Sequence, residues 1–169
     1  MILCMANITM LEVNSMDFIT PFIEWLLQSD YIRNNKLFLN ATEAQDNNVQ
    51  IVMQQIADNQ ITHYVDGSRS YSITFFINSY KSANTNQLVK NMLSENENIS
   101  DVLEVSKIIK FVTDMNKKGN YPIFADNITV EKVYCQYKTP ATPAFDNSMT
   151  PILAKFTIPI VCEVYEDVT

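Results

Sequence analysis

The residues with the greatest capacity for catalysis are few in this 169-residue chain and lie far apart. His63 is the only histidine, so a Ser-His-Asp or Cys-His arrangement has one possible base, and no signature nucleophile lies near it. Cys4, Cys135 and Cys162 include no close pair, so they offer neither a CxxC metal half-site nor a disulfide framework. We therefore expect no catalytic centre and no metal site.

The sequence also lacks the patterns of a nucleotide-binding or acid–base enzyme. Gly67 and Gly119 are the only two glycines, whereas phosphate-binding loops need several glycines at short spacing. The acidic clusters are expected to be solvated charge rather than carboxylates tuned by burial: Glu95 with Glu97, and Glu163 with Glu166 and Asp167. The sequence thus predicts a protein that is not an enzyme and binds no cofactor.

Composition limits the partners of the chain. The formal charge is −7, from 19 acidic and 12 basic residues, and the scattered basic residues disfavour direct, sequence-specific nucleic-acid binding. The hydrophobic fraction is 47%, but no apolar run approaches the roughly 20 residues of a membrane span. We expect a protein without membrane contact, folded as a single domain over residues 1–169.

The strongest secondary-structure pattern is a strand that follows a turn. Side chains alternate between the two faces of a strand, and from residue 71 onward the apolar side chains fall in one phase. Tyr71, Ile73, Phe75 and Ile77 share one face, and Ser72, Thr74, Asn78 and Tyr80 share the other. Just upstream, Asp66-Gly67 fits either a hairpin turn or a bulge.

Helical periodicity appears twice. Residues 15–31 predict a helix capped by Ser15 or Asp17, with Pro21 in its first turn. Residues 99–118 predict a second helix, capped by Ser100 or Asp101 and ended by Gly119. A short third helix through Leu88, Val89, Met92 and Leu93 is also compatible with the sequence.

Further strands are predicted at 36–41, 49–56, 61–65, 128–137 and 153–165. In the fourth of these, the apolar phase changes near Glu131-Lys132, which indicates a bulge. In the last, Pro159 requires either an edge strand or an N–H position that faces away from the neighbouring strand. The economical packing is an α+β fold, a mostly antiparallel sheet with two amphipathic helices on one side.

Two segments are candidate interfaces. At the turn, Asp66 and Arg69 flank Gly67 and Ser68, and the two charges either pair locally or reach across a subunit interface. The second segment is an extended, proline-rich loop over residues 139–152. Its apolar residues either dock on a partner or fold back on their own domain: Phe145, Met149 and Ile152.

The order of these features resembles a known family. The features are Tyr64-Val65-Asp66-Gly67-Ser68 before a long aromatic strand, a helix ending in Asn116-Lys117-Lys118-Gly119-Asn120-Tyr121-Pro122, then Ile128-Thr129-Val130-Glu131-Lys132-Val133 and a closing amphipathic strand. From about Val49 to Tyr165, the chain is similar to the tail terminator and minor capsid (head–tail joining) proteins of tailed phages of Gram-positive bacteria. The Asn- and Lys-rich, Gly-poor composition also suits an AT-rich genome.

The resemblance implies a structural virion protein with a tail-terminator-like fold, made in the cytoplasm of the bacterial host. Such proteins form a ring, expected to be a hexamer, that caps the tail tube, ends tail polymerisation and meets the neck or a head-completion protein. The N-terminal helix and extension (1–45) and the loop 139–152 are longer than the family suggests, so we expect them to grip a sheath or collar. A tail-like bacteriocin would use the same protein.

Two other functions fit the sequence. One is a head-completion or neck connector whose ring joins the portal to the tail, and the other is a small cytosolic binding domain or enzyme of unrelated ancestry.

Overall fold

The computed structural model describes residues 18–34, 36–39, 48–53, 61–82, 97–138, 144–146 and 153–167. Its helices are α1 (Ile19–Leu26), α2 (Asp30–Arg33) and α3 (Glu97–Lys118). Its strands are β1 (Lys36–Leu39), β2 (Asn48–Met53), β3 (Thr62–His63), β4 (Arg69–Ser82), β5 (Ile128–Cys135), β6 (Ala144–Asp146) and β7 (Leu153–Glu166).

The described strands form one sheet, built around the antiparallel pair β4 and β7. The strand order is β1-β2-β4-β7-β5, with β3 beside β4 and β6 beside β7. The β4–β7 ladder runs without a break from the pair Arg69 and Glu166 to the pair Ser82 and Leu153. Only β1 and β2 run parallel among the described pairs. The predicted α+β fold, a mostly antiparallel sheet with helices packed on it, is therefore confirmed.

The predicted alternation of side chains is confirmed for the core face, whereas Asn78 and Tyr80 on the opposite face, which was predicted to be solvated, are also buried. On β4, Tyr71, Ile73, Phe75 and Ile77 are buried on one face. On β7, the even-numbered residues lie on the same face of the sheet and are buried: Ala154, Phe156, Ile158, Ile160, Cys162 and Val164. The two strands together make the floor of a hydrophobic core, and the helices cover that floor.

Aromatic packing attaches α1 to this floor. The Phe22 side chain has no exposed surface, and its aromatic ring stacks on that of Phe75 with 3.7 Å between ring centroids. Trp25 is buried as well, and its indole Nε1–H donates to the carbonyl oxygen of Asn120 at 2.9 Å. A buried indole N–H needs such a partner, so this bond fixes the end of α1 against the segment that follows α3.

The predicted helix over residues 15–31 is interrupted in the structure. It ends at Leu26, and a short turn at 27–29 separates it from α2. Phe18 occupies the N-cap position without a side-chain hydrogen bond, while Ser15 and Asp17 lie outside the described residues. Pro21 does fall in the first turn, where its missing N–H has no helical acceptor.

The second predicted helix is present but begins earlier, at Glu97. Ser100 and Asp101 therefore lie within the helix, and the prediction that either caps it is wrong. The glycine stop is confirmed, because Gly119 has a φ of 65° and the Asn120 N–H donates to the Met115 carbonyl at 3.0 Å. This is the Schellman pattern of a helix C-terminus.

Both irregularities predicted in the strands can be located. The β5–β7 register shifts between Val130 and Lys132, which confirms the bulge. The strand that holds Pro159 lies inside the sheet, so the edge-strand alternative is wrong. The Pro159 carbonyl accepts from the Gln136 N–H at 3.0 Å, so its missing N–H also faces the β5 side, away from β4.

Part of the predicted loop 139–152 is regular, because Ala144–Asp146 forms β6 and pairs with β7 from Leu153 to Lys155. Pro159 lies between the segments of β7 that pair with β5 and β6, so it interrupts neither ladder. The predicted helix through Leu88 lies outside the described residues.

Truncation of Phe22 tests the importance of the helix–sheet contact. We expect Phe22→Ala to lower the free energy of unfolding by about 3–5 kcal/mol, because it removes a fully buried aromatic ring and leaves a cavity. Urea denaturation measures the loss. The matched control is Leu27→Ala just beyond the same helix, where the side chain is 40% exposed and we expect a cost below about 1 kcal/mol. Equal losses in the two variants would contradict this packing.

Candidate interaction site at the hairpin end of the sheet

The turn predicted around Gly67 is the end of a β-hairpin formed by β3 and β4. The pairs Thr62 with Ser70 and His63 with Arg69 close the hairpin. The Tyr64 N–H donates to the Ser68 carbonyl at 2.9 Å, and the Gly67 N–H donates to the Tyr64 carbonyl at 3.1 Å. Gly67 has a φ of 90°, so the loop is the three-residue kind in which a left-handed residue forms a bulge. Both predicted explanations for the glycine apply, because Gly67 lies in the hairpin loop and forms its bulge.

Asp66 stabilises the turn from within. Its carboxylate accepts from the Ser68 N–H at 3.0 Å and from the Ser68 Oγ–H at 2.5 Å. These two hydrogen bonds hold the pKa of the Asp66 carboxyl below its usual range, so the tip carries a negative charge at neutral pH. Ser68 is only 1% exposed, whereas Asp66 is exposed.

Arg69 makes a different ion pair from the two that the sequence suggested. Its Nε–H donates to Glu166 Oε2 at 3.0 Å and its Nη2–H to Oε1 at 2.6 Å, a two-point contact across the β4–β7 ladder. The local pair with Asp66 does not form, and Arg69 is engaged within its own protomer. The Arg69 side chain therefore stabilises the base of the hairpin rather than its tip.

Glu166 corrects a second prediction, because it is not solvated charge. It is 4% exposed and also accepts a hydrogen bond from the Tyr71 hydroxyl at 3.0 Å. The hydrogen bonds from Arg69 are the main cause that lowers the pKa of the Glu166 carboxyl, against the opposing effect of its burial. For Tyr71, in contrast, burial is the main cause and raises the pKa of the hydroxyl, which therefore stays protonated and donates.

Apolar side chains project from this end of the sheet. Val65 at the hairpin tip is fully exposed, Tyr64 beside it is 48% exposed, and Ile123 on the loop before β5 is 82% exposed. Tyr64 is nevertheless held in place, with its aromatic ring 6.2 Å from that of Tyr165 and its hydroxyl 3.2 Å from Ser70 Oγ. These contacts hold the tip in a defined conformation, and we call Tyr64, Val65 and Asp66 the hairpin tip below.

The groups that sequence reasoning considered for catalysis remain apart. His63 is exposed at the base of the hairpin. Burial raises the pKa of the Cys135 thiol to about 12 and also raises that of Cys162, so both thiols are protonated at neutral pH and poorly nucleophilic. Within the described part of the chain, no three His, Cys, Asp or Glu side chains lie together as metal ligands, and no helix is long and apolar enough to cross a membrane.

The structure describes all of the first predicted interface segment and only part of the second. Asp66, Gly67, Ser68 and Arg69 lie in consecutive positions around the turn. Phe145 lies on β6, where its backbone pairs with that of Ala154, while Met149 and Ile152 lie outside the described residues. Sequence reasoning missed Glu166 as the partner of Arg69, although the strand alternation carried a signal: Glu166 continues the buried phase of β7, and Arg69 that of β4.

Comparison with known proteins adds no relative, since neither protein-family models nor curated protein sequences match the chain.

Loss of the Glu166 charge is expected to change how stability depends on pH. Because its pKa is lowered in the folded state from an ordinary 4.5, the ion pair stabilises the fold above that pH, and the stabilisation is lost as pH falls through the lower, folded value. We expect Glu166→Gln to lower the free energy of unfolding by about 1.5–3 kcal/mol at pH 7. The variant should also lose less stability than the wild type as the pH falls from 7 to 3. Urea unfolding between pH 7 and pH 3 measures both effects.

Glu163→Gln is the matched control for this experiment. Glu163 lies on the same strand, but its side chain is 37% exposed and its contact with Lys132 is 3.9 Å long. Such surface pairs contribute about 0–1 kcal/mol to the free energy of unfolding. This variant should therefore lose stability at low pH as the wild type does. If Glu166→Gln loses stability at low pH as the wild type does, the Arg69–Glu166 pair is not what acid disrupts.

Proposed function

We propose that this chain is a structural virion protein that forms a homo-oligomeric ring, a hexamer in our account, at the end of a phage tail tube. The ring ends tail polymerisation and meets a neck or head-completion protein, and in a contractile tail it also contacts the sheath. The order of motifs that resembles tail terminators supports this proposal. The α+β domain that the periodicity of the sequence predicted is compatible with it.

The observation that carries the proposal is the hairpin tip. Val65 is fully exposed, and the turn that carries it is fixed by the Asp66–Ser68 hydrogen bonds. Rigid, preorganised contacts lose less conformational entropy on association than flexible ones. A hairpin built in this way is suited to insertion between neighbouring subunits.

The ion pair at the base of the hairpin supports the same function. Arg69 and Glu166 satisfy each other inside one protomer, so the fold does not depend on a partner to compensate a buried charge. The protomer can therefore be folded before it assembles. A ring arises when such head-to-tail contacts have a rotation that closes.

Deletion of the gene from the genome that encodes the chain tests this function. We expect negative-stain electron microscopy to show tails of uncontrolled length that are unattached to heads, because nothing would stop tube polymerisation. Wild-type protein supplied from a plasmid should restore normal length, and Val65→Asp supplied in the same way should restore it poorly.

Two outcomes would contradict the terminator function. Tails of normal length beside heads that leak DNA would move the protein to the head side of the neck, as a head-completion protein. Unaltered, infectious particles would remove it from the virion and favour a cytosolic binding domain or enzyme.

A further inference from the structure

The C-terminal half of α3 is a basic surface in an acidic chain. Its inner side is buried through Ile108, Ile109 and Val112. Between residues 106 and 118 the helix carries four lysines and one aspartate, a formal charge of +3 in a chain of −7. All four lysines are exposed, and we call them the lysine surface: Lys107, Lys110, Lys117 and Lys118.

The hairpin tip has the complementary character. Asp66 is exposed and ionised. Asp167 at the end of β7 lies close enough for the two negative charges to repel each other. Val65 lies next to Asp66 and is fully exposed to solvent. A partner that fits the tip must therefore offer positive charge next to apolar surface.

Lysine side chains on one helix face provide that combination. Lys107 and Lys110 are three residues apart, so they are neighbours on the helix surface. The aliphatic stem of an exposed lysine offers apolar surface next to its ammonium group, and both of these lysines are exposed. On the hairpin tip, Asp66 follows Val65 directly in the chain.

The two surfaces lie on different elements of the protomer. On β4, residues 69 and 70 pair with β7 on one side and with β3 on the other, and the tip reaches the end of β7, where Tyr64 contacts Tyr165. Helix α3 instead packs against β5 at the far edge of the sheet. Two different surfaces placed in this way can join copies head to tail, as ring closure requires.

We infer that the hairpin tip of one copy docks on the lysine surface of the next copy, with Val65 between the stems of Lys107 and Lys110 and Asp66 paired with one of their ammonium groups. This inference rests on the proposed function and assigns the contact that closes its ring. The occupant of the hairpin tip is a second copy of the chain, since the chain itself carries the apolar and basic surface that the tip requires.

Charge reversal in the full-length protein tests the contact by sedimentation velocity over a concentration series. Asp66→Lys and the double variant Lys107→Glu/Lys110→Glu should each weaken self-association about tenfold or more, because each replaces attraction by repulsion. Combining all three substitutions in one chain should recover most of the loss. Higher salt should weaken the wild type, since exposed charges are screened.

Two further variants separate this contact from damage to the fold. Val65→Asp leaves the Asp66–Ser68 hydrogen bonds in place and should still weaken association. Glu24→Lys makes the same charge change as Asp66→Lys at an exposed position on α1 and should leave association unchanged. Circular dichroism of each variant confirms that it is folded.

The contact is overturned if the wild type stays monomeric at every concentration, if folded Asp66→Lys associates normally, or if the triple variant recovers nothing. Lysines that bind a nucleic acid rather than a second copy would give wild-type association for Lys107→Glu/Lys110→Glu, which also overturns it. None of these results bears on tail length in the gene deletion, so failure of the contact and failure of the proposed function are distinguishable.

Discussion

The antiparallel pairing of β4 with β7 is the constraint on which the rest of the structure depends. It joins residues 69–82 to residues 153–166 without a register shift, so the buried side chains of the two strands pair from Tyr71 and Val164 to Ile77 and Ile158. Helix α1 stacks on this face through Phe22 and Phe75, and β5 pairs with the other side of β7 across a bulge. A slip of one residue in this ladder would turn every apolar side chain away from the helices.

The same ladder determines what the hairpin end can do. Its last pair, Arg69 and Glu166, brings a guanidinium and a carboxylate into two-point contact, and Tyr71 completes the hydrogen bonding of the buried oxygen. The hairpin is anchored at its base, while Val65 and Asp66 remain exposed at its tip. A protein that acts through interfaces benefits from this arrangement, because the hairpin is fixed in its own fold before it meets a partner.

Local patterns in the sequence predicted the elements well, because their causes are local. The alternation in residues 71–77, the bulge near Glu131 and the glycine stop after Lys118 each follow from neighbouring residues. The break after Leu26 did not, because the apolar spacing continues through it. The partner of Arg69 was missed because it lies 97 residues away in the sequence, and only the pairing of two distant strands reveals it. The exposure of Val65 also depends on that tertiary arrangement.

The most direct test of the account is a cryo-electron microscopy map of the head-proximal end of isolated tails. We expect a single sixfold ring of this α+β domain on the last ring of tube protein, with each hairpin tip inserted into the neighbouring subunit. Density for the chain elsewhere in the particle, or no density for it at all, would contradict the account. A ring whose subunits meet through other surfaces would preserve the terminator function and reject the hairpin contact.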